Sequence, residues 1–147
     1  MITLNFKFPL MSTPRERIAR NGGRYKPKEY KIYQARLYRE VMNQLTLIDP
    51  ISYRYYVGFF NGYVSRFDNH DPSDLDNILK GILDTMVLAN KLRGDNRSRW
   101  IGSKILCSPV KADNNVIYIG MEAEELQIDQ QVSNLKLQAN LLSLADK

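Results

Sequence analysis

The sequence predicts an α+β domain. It reads as a small mixed or antiparallel sheet of about four strands with two main helices on one face, in the order β-α-β-α-β-β, plus a C-terminal tail that is either helical or flexible. Three observations predict this. Residues 2–8 alternate apolar and polar, with Ile2, Leu4, Phe6 and Phe8 on one side, the period-two pattern of a half-buried strand. Residues 28–47 and 74–91 repeat apolar side chains every three or four positions, which is the helical period. Residues 51–60, 100–109 and 115–123 are rich in aromatic and β-branched types, as strands are.

Taken in order, the first strand leads into a loop over 9–27. The first helix follows with Tyr30, Tyr33, Leu37, Val41 and Leu45 on its inward face. Pro27 suits its start, and Asp49-Pro50 ends the unit. In the second strand Tyr53, Tyr55, Val57 and Phe59 alternate. Residues 61–72 read as a polar turn region holding the only histidine, His70, which is most simply a solvated loop residue. The second helix carries the stripe Leu75, Ile78, Leu79, Ile82, Leu83, Met86 and Val87, with Gly94 beyond it as a stop signal. The last two strands read as a hairpin joined around Lys111-Ala112-Asp113-Asn114. From residue 124 the character changes to an acidic tail rich in Gln and Asn, where Ile128, Val132, Leu135, Ala139 and Leu142 are spaced 4, 3, 4, 3. That short heptad pattern fits a packing helix, a dimerisation arm or a frayed end. The division is therefore 1–123 as the main domain and 124–147 as the tail.

The chain has 147 residues, of which 44% are hydrophobic and 25% charged, and this composition excludes low-complexity and collagen-like sequences. The single cysteine, Cys107, excludes an internal disulfide and multi-cysteine zinc sites. It lies in a predicted strand, where it serves as a small buried hydrophobe. No stretch resembles a signal peptide or a membrane span, so the expectation is a cytoplasmic protein without a membrane partner.

Charge is unevenly distributed. Arg15, Arg17, Arg20, Arg24, Lys26, Lys28 and Lys31 are opposed locally by only Glu16 and Glu29, which leaves +5, equal to the net charge of the whole chain. The segment also holds the turn signal Asn21-Gly22-Gly23, and Tyr25. Arginine forks match phosphate oxygens and glycine lets a backbone approach them; an exposed tyrosine can stack on a base. For Trp100 a core position is the simpler reading. A solvated charged loop accounts for the same composition.

The acids gather elsewhere, as Asp68, Asp71, Asp74, Asp76, Asp84 and Asp95. Carboxylates beside a basic loop repel phosphate unless a divalent cation lies between them. Asp74 and Asp76 share a side only if Asp74 lies at or before the helix start, and Pro72-Ser73 places the boundary there. Lys80 and Asp84 follow at one-turn intervals on the face opposite the apolar stripe. Acids in a first turn also complement the helix dipole, and Asp-Lys-Asp at this spacing is an ordinary solvated face.

Two separated patterns resemble one family. The run Asp74-Leu75-Asp76-Asn77, then Lys80, Asp84 and, after a helix-length gap, Asp95, is similar to the signature of RusA-like Holliday-junction resolvases. Upstream, Pro14-Arg15-x-Arg17 and Arg20-Asn21-Gly22-x-x-Tyr25-x-Pro27 resemble the basic loop of the same family, and the likeness spans roughly residues 2–120. It implies a Mg2+-dependent endodeoxyribonuclease, with Mn2+ as a substitute, that acts as a homodimer on four-way or branched DNA and resolves it by paired symmetric nicks in recombination and repair. It implies Asp74, Asp76 and Asp95 as metal-binding catalytic acids, and Lys80 as the catalytic cation. Arg15, Arg17, Arg20, Arg24, Lys26 and Lys28 are implied as DNA-binding, with Asn77 and Asp84 supporting. No small-molecule cofactor is implied. Family members often carry paired acids where this chain has Gly94-Asp95. That departure keeps a second expectation open, a catalytically inert DNA-binding protein of a mobile element. A dimeric interaction protein assembled through the tail, and a nuclease of flapped DNA, are further alternatives.

Overall fold

The computed structural model describes residues 1–14, 17–62, 72–93, 99–110, 112, 114 and 115–145, with Arg17 and residues 72–74 described by backbone alone. Strand β1 (Ile2–Phe6) is followed by a two-stranded ribbon, β2 (Arg17–Ile18) and β3 (Arg24–Tyr25). Then come α1 (Lys28–Gln44), β4 (Tyr55–Asn61), α2 (Pro72–Leu88), β5 (Trp100–Cys107) and β6 (Asn115–Gly120). A 3-10 turn (Glu122–Glu124) leads into α3 (Glu125–Ala145).

The main sheet has the order β1-β6-β4-β5. β6 runs antiparallel to both β1 and β4, while β4 and β5 are parallel. The fold is the expected mixed α+β sheet, but β5 and β6 are not the hairpin that their proximity in sequence suggested. β4 lies between them. The long α2 crossover allows β5 to pair parallel to β4, and the connection to β6 then crosses the end of β4. There the Ser108 N–H donates to the Asn61 carbonyl (2.8 Å) and the Ala112 N–H to the Gly62 carbonyl (2.7 Å). A side chain at Gly62 would run into the Asn114 carbonyl, so the crossing needs glycine.

β4 is buried along its whole length. One of its sides, with Tyr55, Val57 and Phe59, joins Leu4, Phe6, Ile117 and Ile119 under α1 and α2. The α1 stripe Tyr30, Tyr33, Leu37, Val41 and Leu45 and the α2 residues Leu75, Ile78, Leu79, Ile82, Leu83 and Met86 are all buried there, as their spacing predicted, but Val87, the last of the expected α2 stripe, is exposed. Trp100 and Cys107 are only partly buried but pack against this core, and burial pushes the Cys107 thiol up from its ordinary pKa. Ile51 is not part of β4: it forms an isolated parallel bridge with Leu92. Helix α2 ends at Leu88 and is closed off at Asn90, short of Gly94. Asn90 adopts a left-handed φ of 56°. Its N–H reaches the Val87 carbonyl (3.0 Å) while the Lys91 N–H reaches that of Met86 (2.8 Å), a Schellman closure in which asparagine takes the usual glycine position.

The tail is a helix, and it covers the opposite side of the sheet. Ile128, Val132 and Ala139 are buried against Tyr56, Phe60, Val116 and Tyr118, with Leu135 partly buried beside them. Leu142, the last of the heptad series, is 66% exposed. The Glu124 carboxylate accepts the Met121 N–H (2.9 Å), and this bond holds its pKa below the usual carboxylate range. β1 is an edge strand, and α1 occupies part of its free edge. The Gln44 side chain accepts the Asn5 N–H (2.9 Å) and donates to the Asn5 carbonyl (2.7 Å), which satisfies backbone groups that would otherwise invite pairing with another chain. Among the described residues no helix is long and apolar enough to cross a membrane.

Candidate functional site

The expected site residues that are described fall along α2 (Asp74, Asp76, Asn77, Lys80 and Asp84), on the ribbon β2–β3 and its turn (Arg17, Arg20 and Arg24), and where the ribbon leads into α1 (Lys26 and Lys28). Helix α2 begins at Pro72, a residue whose fixed φ suits a first helical position. The boundary is therefore earlier than Pro72-Ser73 suggested, and Asp74 and Asp76 both lie inside the helix. At about 100° per residue these two positions are about 200° apart around the axis, so the extended start that would let them share a side is not formed.

Along α2 three faces separate by spacing. The apolar stripe faces the core. Asp76, Lys80 and Asp84 are all exposed, one turn apart on one face, as predicted. Asn77, Gly81 and Thr85 form the third line, turned toward the seam with α1. The Asn77 amide donates to the Thr13 carbonyl (3.2 Å), and the Thr13 hydroxyl is hydrogen-bonded to that of Tyr30 (3.0 Å). A groove of about 240 Å³ opens beside this point, lined by Lys26, Tyr30, Gln34, Gly81 and Asp84. Through Gln34 and Thr85 it adjoins a wider one of about 460 Å³ that reaches Tyr38 and Leu88.

The segment predicted as a basic loop closes into a short antiparallel ribbon, with Arg17 opposite Tyr25 and Ile18 opposite Arg24. Its turn is held by three bonds: the Ala19 N–H to the Gly23 carbonyl (2.7 Å), the Gly22 N–H to the Ala19 carbonyl (2.9 Å), and the Gly23 N–H to the Asn21 side chain (3.0 Å). Gly22 has a φ of 82°, where a side chain would be strained. Arg20, Arg24 and Lys28 are exposed. Lys26 is half-buried and turns back, its ammonium 5.2 Å from the centre of the Tyr30 ring. Tyr25 (43%) and Ile18 (73%) leave apolar surface exposed among these cations.

Arg15, Asp68, His70, Asp71 and Asp95 lie outside the described residues, as do the side chains of Arg17 and Asp74. Among the described residues no three of His, Cys, Asp and Glu come together to hold a metal ion. The expected donors, three aspartate carboxylates, are the hard oxygen ligands that Mg2+ takes; of these, Asp76 alone has a described side chain, and it is open to solvent. Sequence reading missed Thr13, and it saw Tyr30 only as a core residue. A tyrosine within an apolar helical stripe, with its hydroxyl needing a partner, was the available signal.

No protein-family model matches the chain, and no curated protein matches it. The fold and this site define an α+β domain in which the segment leading into a basic ribbon is bonded to the first turns of α2.

Proposed function

We propose that the protein is a Mg2+-dependent, structure-selective endodeoxyribonuclease that cuts four-way or branched DNA as a homodimer, in the manner of the RusA-like resolvases it resembles. The observation that carries this reading is a hydrogen bond from α2 to the segment that leads into the basic ribbon. The Asn77 amide, one residue from Asp76, holds the Thr13 carbonyl at the foot of the basic ribbon (3.2 Å). Simple nucleic-acid binding calls for cations alone. Cations fixed next to a helix bearing Asp74, Asp76 and Lys80 suit phosphoryl chemistry.

In this reading Arg20, Arg24 and Lys28, with Arg15 and Arg17, bind the DNA backbone and set the salt dependence of binding. Asp76 and Asp95 would hold the cation, joined by Asp74 where the first turn of α2 opens to bring it round to the side of Asp76, and Mn2+ would replace Mg2+. Bound Mg2+ would lower the pKa of a coordinated water and neutralise charge on the scissile phosphate. Lys80, one turn beyond Asp76, stabilises the additional negative charge of the transition state. Two copies related by a two-fold axis match the approximate two-fold symmetry of a four-way junction.

The test is nicking of a synthetic four-way junction by purified protein with Mg2+. Asp76→Asn should abolish cleavage, by at least about a hundredfold if the carboxylate acts in the transition state, and leave junction binding intact. Unchanged cleavage in that variant refutes the assignment. A second reading, an inert DNA-binding protein, draws on Gly94 standing where the family often has an acid. Junction binding without Mg2+-dependent or Mn2+-dependent nicking by the wild type would establish it.

A further inference from the structure

The ribbon β2–β3 pairs only Arg17 with Tyr25 and Ile18 with Arg24. So short a hairpin has little stability of its own, and its position must come from where its two feet are anchored. The C-terminal foot runs into α1 at Pro27, with Lys26 over the Tyr30 ring. The N-terminal foot, Met11 to Thr13, is held by hydrogen bonds. The Met11 amide bonds the Tyr33 hydroxyl, and Thr13 shares a bond with the Tyr30 hydroxyl (3.0 Å). Those contacts fix the segments on either side of the ribbon to α1. Asn77 fixes the N-terminal one to α2 as well, through the Thr13 carbonyl.

We propose that Asn77 is a positioning residue: by latching Thr13 it keeps the basic ribbon in register with the acidic first turns of α2. For its catalytic consequence this rests on the nuclease reading above; for its mechanical part it does not. The register matters because phosphates gripped by Arg20 and Arg24 must be delivered to the neighbourhood of Asp76 and Lys80, and small misplacements of a reacting group are costly to rate. Asn77 itself need touch no DNA. With the latch open the cations remain, so binding persists while the strand is presented out of register.

The experiment compares full-length wild type, Asn77→Leu, which removes the donor at similar size, and Asn77→Gln, which keeps one. Asn77→Leu should speed amide exchange across residues 9–26 about fivefold, the effect of losing one hydrogen bond, with thermal stability nearly unchanged. Junction affinity in EDTA should change by less than about twofold, because no cation is lost. The single-turnover nicking rate should fall about tenfold. Asn77→Gln should stay near wild type on all three measures. A second route restores the latch covalently. A Cβ built on Gly81 lies 3.5 Å from the Thr13 hydroxyl, close enough for a disulfide between Thr13→Cys and Gly81→Cys. In an Asn77→Leu protein with Cys107→Ser, oxidation of that pair should recover both slow exchange and nicking, and reduction should reverse both.

Wild-type exchange in Asn77→Leu overturns the proposal, as does a cross-link that slows exchange without recovering nicking. A wild type that nicks no DNA sinks the nuclease reading instead. Exchange and cross-linking then decide the latch on their own.

Discussion

The two sides of the sheet are built on different terms. Under α1 and α2 the core is broad: Leu37, Val41, Ile78, Leu79, Ile82 and Met86 are each 0–1% exposed and meet the larger side of β1, β6 and β4. On the other side one helix covers a smaller patch, and it does so at close range. A side chain on Gly58 would collide with Ile128 and Val132, and one on Gly120 would lie 3.0 Å from Ile128. The described charged residues of the candidate site sit at the edges of the broad side, on α2, on the ribbon and at the start of α1. A rigid, well-filled layer can hold polar groups at its rim at fixed positions. The α3 side has less apolar area to spare, and there the Tyr56 hydroxyl ties the sheet to the helix by donating to Asp129 (2.6 Å).

The largest effect should come from the broad side. Leu79 is 0% exposed on α2; Leu79→Ala is expected to cost about 2–5 kcal/mol, from lost burial plus the cavity left behind. Denaturant unfolding should remain a single transition with a lower midpoint. Gly58→Ala on the other side should cost less, about 1–3 kcal/mol as overpacking strain, and in a different manner. The helix above is expected to lift, so amide exchange in 125–145 rises well before that of α1 and α2. If Gly58→Ala instead lowers protection everywhere equally, the two sides form one cooperative layer and the contrast drawn above fails.

The same contrast explains what the sequence disclosed. Periodicities of two and 3.6 report local geometry, so β1, the stripes of α1 and α2, and the same-face placement of Asp76, Lys80 and Asp84 were all legible. Strand neighbours were not. Nothing within 100–123 says that β4 lies between β5 and β6, because pairing is decided by partners far away in the chain. The ribbon was hidden because strands of two residues carry no pattern. The end of α2 was misplaced because Asn90 took the left-handed position that glycine usually fills. In the site, Asn77 was visible as a motif member, but its acceptor on Thr13 was not: a bond spanning 64 residues leaves no spacing to read. The tail's heptad spacing left a packing helix, a dimerisation arm and a frayed end all open, and the docking that decides between them depends on the missing side chain of Gly58.

Alkaline titration offers a finer probe of the two sides, because each buries tyrosine differently. Tyr33, on the α1 side, is pushed up from 10.0 to about 12, mainly by burial, with the Met11 backbone bond working against it. Tyr56, on the α3 side, is also pushed up, first by burial and then by its hydrogen bond to the negative Asp129; Tyr118 is raised by burial alone. In each case the fold favours the neutral phenol. Below pH 10 folded and unfolded chains hold this proton alike, so these groups leave stability independent of pH there. Above it the unfolded chain releases protons that the folded chain keeps, and stability falls as pH rises, by up to about 1.4 kcal/mol per pH unit for a fully protected tyrosine such as Tyr33. Absorbance at 295 nm should therefore show a late phenolate step coinciding with loss of structure. Tyr33→Phe should reduce the slope between pH 10 and about 12 by roughly one proton's worth. Tyr56→Phe should lower neutral stability by about 1–2 kcal/mol through the lost charged hydrogen bond, yet make the alkaline decline shallower. If α3 lifts before the core opens, the Tyr56 step precedes that of Tyr33 and follows exchange in 125–145; a single merged step would show that the two sides let go together.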